Sequence, residues 1–290
     1  MSFAQNFRGP ADLHTHSSVS DGTQSPRELI FAAAAAGLGT VALTDHDTTA
    51  GWHEAAAAVP DAGITLIPGM ELSTRHGRVS VHMLAYLFDP ENAALRAETE
   101  KIRAARMTRA ATIVSNIAAD YALDWEDVLA QTRPGTTIGR PHIADALVAR
   151  GHSVTRSAAF DTILHPRNGY TIPLYAPDPL EAIGLIRAAG GVPVIAHPAT
   201  GSRGNLIPEE IVVQMIEAGL AGLEVEHREN TVEGKAWLRE LAAKYSLIET
   251  GSSDYHGAGK PNLLGENSTG IAAVAEIIAQ GTGCEPVYPR

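Results

Sequence analysis

Residues 12–16 read Asp12-Leu13-His14-Thr15-His16, and near the other end the chain reads Asp254-Tyr255-His256. Between them stand Thr44-Asp45-His46, Glu71, His82 and His197. Each follows a short apolar run or the turn after it, where a strand hands its last side chains to a shared rim. Alternate residues of a strand point to one side, so Asp12, His14 and His16 can converge on a single point. Neutral imidazole with carboxylate suits Zn, Mn and Fe. So many donors at separate strand ends imply more than one ion, and clustered divalent metals commonly mean hydrolysis at phosphorus.

The runs between these motifs set the architecture. Ser25-Pro26-Arg27-Glu28 opens a helix, with Ser25 as N-cap, Pro26 at N1 and Glu28 placed to close a capping box. Gly37 stops it. Strands are expected at residues 41–43, at 64–67 (ending at Gly69 and Glu71) and at 79–87. Residues 91–121 then form one long helical pattern with a basic stripe, Lys101, Arg103, Arg106 and Arg109. Shorter helices follow near 125–130 and 141–150, and strand signals are missing until about residue 169. Alternation resumes with Asp178-Pro179, a second capping signature, then a strand at 192–196 running into His197. Leu223-Glu224-Val225 leads to His227, and residues 247–250 lead to Asp254. Strand–helix alternation broken once predicts a parallel, barrel-like α/β fold, with catalytic groups at the C-terminal strand ends. Residues 1–90 and 170–290 are expected to form the barrel, and 91–169 an inserted helical domain that caps the site.

A chain of 290 residues, 44% of them hydrophobic, can hold one large core and a small satellite. The formal charge of −11 argues against non-specific binding to nucleic-acid backbones as its main role. Cys284 is the single cysteine, which excludes an intrachain disulfide and fits a reducing compartment. Residues 1–10 lack the pattern of a signal peptide, and no run of about 18 apolar residues occurs. The expectation is a cytoplasmic protein with no membrane segment and no obligate protein partner.

In order along the chain, Asp12-x-His14-x-His16, Thr44-Asp45-His46, Pro68-Gly69-x-Glu71, Ala196-His197-Pro198 and Gly251-Ser252-Ser253-Asp254-x-His256-Gly257 resemble the signature blocks of the PHP (polymerase and histidinol phosphatase) family. The blocks span residues 12–257 apart from the helical insertion. The resemblance implies a distorted (β/α)7 barrel carrying two or three divalent ions (Mn, Fe or Zn). By position, it implies His14, His16, Glu71 and Asp254 at a first metal, and Glu71, His82 and His197 at a second. Asp21, His46 and His256 would hold a third. Asp12 and Asp45 would orient ligand histidines from behind. Asp21-Gly22 also reads as a turn, and His82, inside an apolar run, also reads as a core histidine.

These features imply a metal-dependent phosphoesterase. A hydroxide shared by two metals attacks phosphorus in line, with Glu71 and Asp254 holding the reacting centre. The insertion is similar to that of the branch acting on nucleotides. That branch converts 3',5'-nucleoside bisphosphates to 5'-monophosphates such as AMP, or trims short 5'-phosphorylated single-stranded oligonucleotides. Arg140 and His142, at a helix start, are candidates to bind phosphate. His227 is a candidate to do so or to protonate the leaving oxygen. The basic stripe reads as a solvated helix face, or as a track for an oligonucleotide. Gly257-Ala258-Gly259-Lys260 lacks the spacing of a phosphate loop, and His53, His76, His152 and His165 read as surface residues. The alternatives are a histidinol-phosphate phosphatase, a non-catalytic metal-binding module, and hydrolysis of a C–N bond.

Overall fold

The computed structural model describes residues 9–200 and 207–289. The expectation for the first ten residues therefore falls almost wholly outside the described residues. A seven-stranded sheet runs in sequence order: β1 (Ala11–Asp12), β2 (Thr40–Leu43), β3 (Thr65–His76), β4 (Val79–Tyr86), β5 (Val192–Ala196), β6 (Gly222–Glu226) and β7 (Ile248–Gly251). Every residue of β2 and of β5 is buried, as expected of strands with both faces covered. A parallel bridge from Thr15 to Tyr255 joins the first strand to the segment after the last, which brings the sheet close to a closed barrel.

The distortion lies at β4, which pairs antiparallel with both neighbours. The sequence suggested that β3 stops near Gly69. It instead continues to His76 and returns through the two-residue turn Gly77-Arg78, with Gly77 at φ 56, a conformation glycine adopts without strain. Gly69 is a packing residue. A Cβ there would lie 2.9 Å from Thr44 Cγ2 and 3.2 Å from the Tyr86 ring. The hairpin puts Glu71 in mid-strand, beside His46 in a parallel bridge, and sets Ser73 opposite His82.

The helix signals act as read. For α1 (Pro26–Ala35), both halves of the Ser25–Glu28 capping box form. Asp178 caps α7 (Pro179–Ala188). Between β4 and β5 lie α3 (Ala93–Ile117), α4 (Trp125–Leu129), α5 (Arg140–Ala149) and α6 (Arg156–Asp161). They share an apolar cluster of their own, including Ile113, Val114, Val128, Ile143 and Leu147. The outer helices α2 (Trp52–Ala62), α8 (Glu209–Glu217), α9 (Val232–Tyr245) and α10 (Ile271–Gln280) complete the described helices that flank the sheet. Among the described residues, no helix is long and apolar enough to cross a membrane.

Candidate metal centre

The segment leaving β1 is held flat by its odd-numbered residue. Thr15 N donates to Thr44 Oγ1 and Thr15 Oγ1 to Ala42 O, while His16 N donates to Tyr255 O. His14 and His16 therefore turn inward together, both fully buried. Their Nε2 atoms lie 3.1 Å apart. Each is within 3.2–3.4 Å of Glu71 Oε2 and of Asp254 Oδ1.

Hydrogen-bond partners fix which nitrogen is free. His14 Nδ1 is 3.0 Å from Glu224 Oε1. A carboxylate can only accept, so this nitrogen carries the hydrogen and Nε2 presents a lone pair. His256 Nδ1 likewise donates to Asp254 O at 2.8 Å, which leaves a lone pair on Nε2, 3.2 Å from Asp21 Oδ1. His46 puts Nδ1 3.1 Å from Glu71 Oε2 and Nε2 3.7 Å from Asp21 Oδ2. Buried acceptors aimed at one another repel unless a cation or a proton lies between them. Consistent with that, His46 Nδ1 and His256 Nε2 are buried without a hydrogen-bond partner among the described residues. The donor set fits divalent ions.

Among the described residues, three groups have ligand atoms close enough to share an ion. They are His14, His16, Glu71 and Asp254; His16, Asp21, His46 and His256; and His46, Glu71 and His82. The first matches the expected set, and the second matches with His16 added. The third differs, because His46 takes the place expected for His197. His197 Nε2 still reaches Glu71 Oε1, at 3.2 Å, the oxygen that His82 Nδ1 approaches to 2.6 Å. Glu71, His16 and His46 each belong to two groups, and Asp21 is gathered in as a carboxylate as well as a turn residue.

Burial alone would push these carboxyls up. For Glu71 it is outweighed by His46, His82 and His14, which hold the group well below the usual carboxylate range. Lys260, His256 and His14 do the same for Asp254. His16 is pulled up to about 9 against burial by Asp254 and Glu71. His197 and Asp254 both have positive φ, 33 and 55, a conformation costly for side-chain-bearing residues and concentrated at functional sites.

The supporting residues differ from expectation. Asp12 touches no imidazole ring. Its carboxylate accepts from the backbone N–H of Ser253, Gly265 and His14, tying the exit of β1 to the loop after β7. Asp45 accepts from Ser17 N, Ser17 Oγ and Ser20 Oγ, so it shapes the loop that carries Asp21. The residue that orients ligand-type histidines is Glu224, which bonds His14 Nδ1 and accepts from His197 N at 2.7 Å. The only signal for it was an acid between Leu223 and Val225 in a buried strand. Lys260, set aside with its glycines, donates to Asp254 Oδ2 at 2.6 Å.

The stripe on α3 is not a uniform solvated face. Arg106 donates to Asp47 Oδ2 and Ser73 Oγ, both at 2.7 Å, and Arg109 donates to Ile172 O. Burial, then Arg140, Arg106 and Arg75, bring the Arg109 guanidinium down to about 9, so four arginines share one region. Arg140 lies over the Phe160 ring at 5.5 Å. His142 is buried, and its Nδ1 accepts from Gly139 N. Burial lowers the pKa of its ring, and Asp21 lies close enough to act against that. His227 is fully buried on its side chain. Its Nδ1 accepts from Glu229 N at 3.1 Å, which leaves the hydrogen on Nε2, 3.7 Å from Asp254 Oδ2. Arg228 turns away to Glu266.

The PHP domain model matches residues 12–130. A 3',5'-nucleoside bisphosphate phosphatase of Chromobacterium violaceum is 35% identical over 257 residues, covering 86% of this chain and 88% of that protein. A 5'-3' exoribonuclease of Haemophilus influenzae is 32% identical and covers 84% and 89%. Among solved structures, a Bifidobacterium adolescentis protein assigned as a metal-dependent phosphoesterase superposes with a TM-score of 0.93 at 45% identity, covering 94% of this chain and 97% of its own.

Proposed function

The chain belongs to the PHP family, and from that premise we propose that this metal-dependent phosphoesterase acts on phosphate esters of nucleotides. Its substrates would be 3',5'-nucleoside bisphosphates, giving 5'-monophosphates such as AMP, and short 5'-phosphorylated oligonucleotides. The observation that carries the reading is the convergence of three acceptor groups around Glu71 and His46 beside a cluster of arginines. The first supports two or three divalent ions, Mn, Fe or Zn, and the second supports a further phosphate.

His14, His16, Glu71 and Asp254 would hold one ion. Glu71, His82 and His46, with His197 alongside, would hold another, and Asp21, His256, His16 and His46 a third. Bound there, such ions supply Lewis acidity and make water a stronger acid. Glu224 keeps His14 in the tautomer that offers Nε2. His227 carries its hydrogen on Nε2 and would pass it to the leaving oxygen. Arg140, with Arg106 and Arg109 nearby, fits a second phosphate on the substrate. The single cysteine, Cys284, is free, which fits a reducing, cytoplasmic setting.

The test is phosphate release from adenosine 3',5'-bisphosphate by the Mn-loaded protein, with histidinol phosphate in parallel. Turnover of the bisphosphate with little on histidinol phosphate is expected. The reverse preference would remove the nucleotide role. The exoribonuclease relative makes 5'-phosphorylated oligonucleotides the second series to assay.

A further inference from the structure

Asp21 meets the metal centre with its carboxylate and the insertion with its backbone. Its Oδ1 is 3.2 Å from His256 Nε2, and its Oδ2 is 3.7 Å from His46 Nε2. Its carbonyl oxygen accepts a hydrogen bond from Arg156 Nη1 of α6 at 2.9 Å. The same guanidinium gives Nε and Nη2 to the two oxygens of Asp145 on α5, a two-point pairing that fixes its plane. The Arg156 side chain is only 12% exposed, so it stands between the insertion and the barrel and not in solvent.

Arg156 also meets the second loop that bears a ligand of this group. A Cβ on Gly259 would stand 2.2 Å from Arg156 Nη1 and 2.8 Å from its Cζ. The guanidinium therefore fills the place of a side chain on the turn Gly257–Gly259, which directly follows His256. The two loops are stitched to each other as well. Thr23 N donates to His256 O at 3.1 Å, and Thr23 Oγ1 accepts from Ala258 N at 2.8 Å. On the barrel side, Asp45 holds the Asp21 loop at Ser17 and Ser20. At Asp21 itself the backbone carbonyl is held from the insertion, by Arg156.

We propose that Arg156 is a positioning residue for the cation held by Asp21, His256, His16 and His46. Through its fork on Asp145, the insertion sets where Asp21 stands against His256, and the affinity of this one group depends on α5 and α6 being docked. Metal donors must sit within a few tenths of an ångström of their ideal places, roughly ±0.2 Å, and a turn loop has little stiffness of its own. The planar five-donor guanidinium suits the task, because it can hold a carboxylate and a carbonyl at once in fixed geometry. The proposal rests on the reading above that this group takes an ion, and deepens it by giving the insertion a part in completing the metal centre.

The experiment is a calorimetric Mn titration of the chelated full chain, with thermal unfolding run with and without Mn on the same proteins. Wild type, Asp21→Asn, Arg156→Met, Arg156→Lys and Gly259→Ala are compared. The binding step lost in Asp21→Asn identifies the ion of this group. That step is expected to weaken ~10–100-fold in Arg156→Met, where methionine keeps the apolar stem. In Arg156→Lys it weakens less, since an ammonium can hold one partner but not the fork. Gly259→Ala leaves the arginine in the chain and displaces its guanidinium, so it is expected to weaken the same step and no other. The gain in Tm on adding Mn shrinks in all three. If every step keeps its affinity in Arg156→Met and Tm falls equally with and without Mn, Arg156 merely fastens the insertion and the proposal is overturned. It is overturned as well if all steps weaken alike, or if wild type shows no step that Asp21→Asn removes. No substrate enters these measurements, so they are separable from the reaction. Selective weakening, with no nucleotide ester hydrolysed by wild type, keeps the positioning role and removes the reaction reading. Hydrolysis by wild type, with the step unchanged in Arg156→Met, keeps the reaction and removes the positioning role.

Discussion

An imidazole serves a cation only if its other nitrogen is tied down, and here the ties are visible one residue at a time. Glu224 holds both His14 Nδ1 and the backbone N–H of His197. Glu224→Gln keeps the volume but can accept only one of these two hydrogens on its single carbonyl oxygen. Metal affinity is expected to drop ~10–100-fold with the fold retained, read from Mn titration and circular dichroism. Unchanged affinity would reduce Glu224 to a packing residue. His227 makes a separate prediction, because its Nε2 hydrogen is free to move. His227→Gln is expected to cost ~10²–10⁴ in kcat on a nucleotide ester at unchanged metal content. The loss should be far smaller for p-nitrophenyl phosphate, whose leaving group needs no proton. Equal losses on both esters would place His227 in binding and not in proton transfer. Most histidines and acids of the centre were legible because they stand at strand ends in motifs, although Glu71 and His82 lie inside β3 and β4. The roles of Asp12, Asp45 and Glu224 were not, since which acid meets a ring and which meets a backbone N–H depends on how distant segments pack.

At the scale of elements, the sequence predicted strand and helix existence well and strand direction poorly. Capping boxes and proline at N1 are local chemistry, so α1 and α7 start where Ser25 and Asp178 say they do. Gly69 looked like a strand end because glycine commonly is one. Its function is close approach to Thr44 and Tyr86, which only pairing partners reveal. The basic stripe failed for the same reason. Arg106, at 10% side-chain exposure, pairs with the fully buried Asp47 carboxylate and ties α3 to the barrel rim. Arg106→Ala leaves that carboxylate buried without its cation, held only by hydrogen bonds from Ser73 N and Oγ, a change that costs ~3–5 kcal/mol in comparable pairs. Arg106→Leu combined with Asp47→Asn is expected to recover much of the loss, and asparagine tolerates the positive φ of 54 at this position. Thermal unfolding of the two variants checks this, and a double variant no more stable than the single would argue that the pair carries no net tie.

For the whole molecule, the acceptor groups join the segments after β1, β2 and β7 with β3 and β4. Bound cations therefore act as crosslinks across most of the sheet's circumference, while the insertion packs around a separate apolar cluster. A ligand that binds only the folded state stabilises it by ~2.7 kcal/mol at a hundredfold excess over Kd. Several coupled ions add to this, so chelation is expected to lower Tm by several degrees and to abolish phosphate release, with Mn restoring both. The distribution of that loss is the sharper prediction. Without cations, His256 Nε2 presents a lone pair to Asp21 Oδ1 and the buried Glu71 and Asp254 carboxylates keep only histidine and Lys260 charges for compensation, so the strand ends are expected to open first. Hydrogen exchange after chelation should speed up at residues 14–21, 45–47 and 252–256. Amides around Ile113, Val114 and Ile143 in the insertion should keep their protection. Uniform loss across both regions would mean that the insertion is not independently stabilised and that the cations hold the entire chain as one cooperative unit.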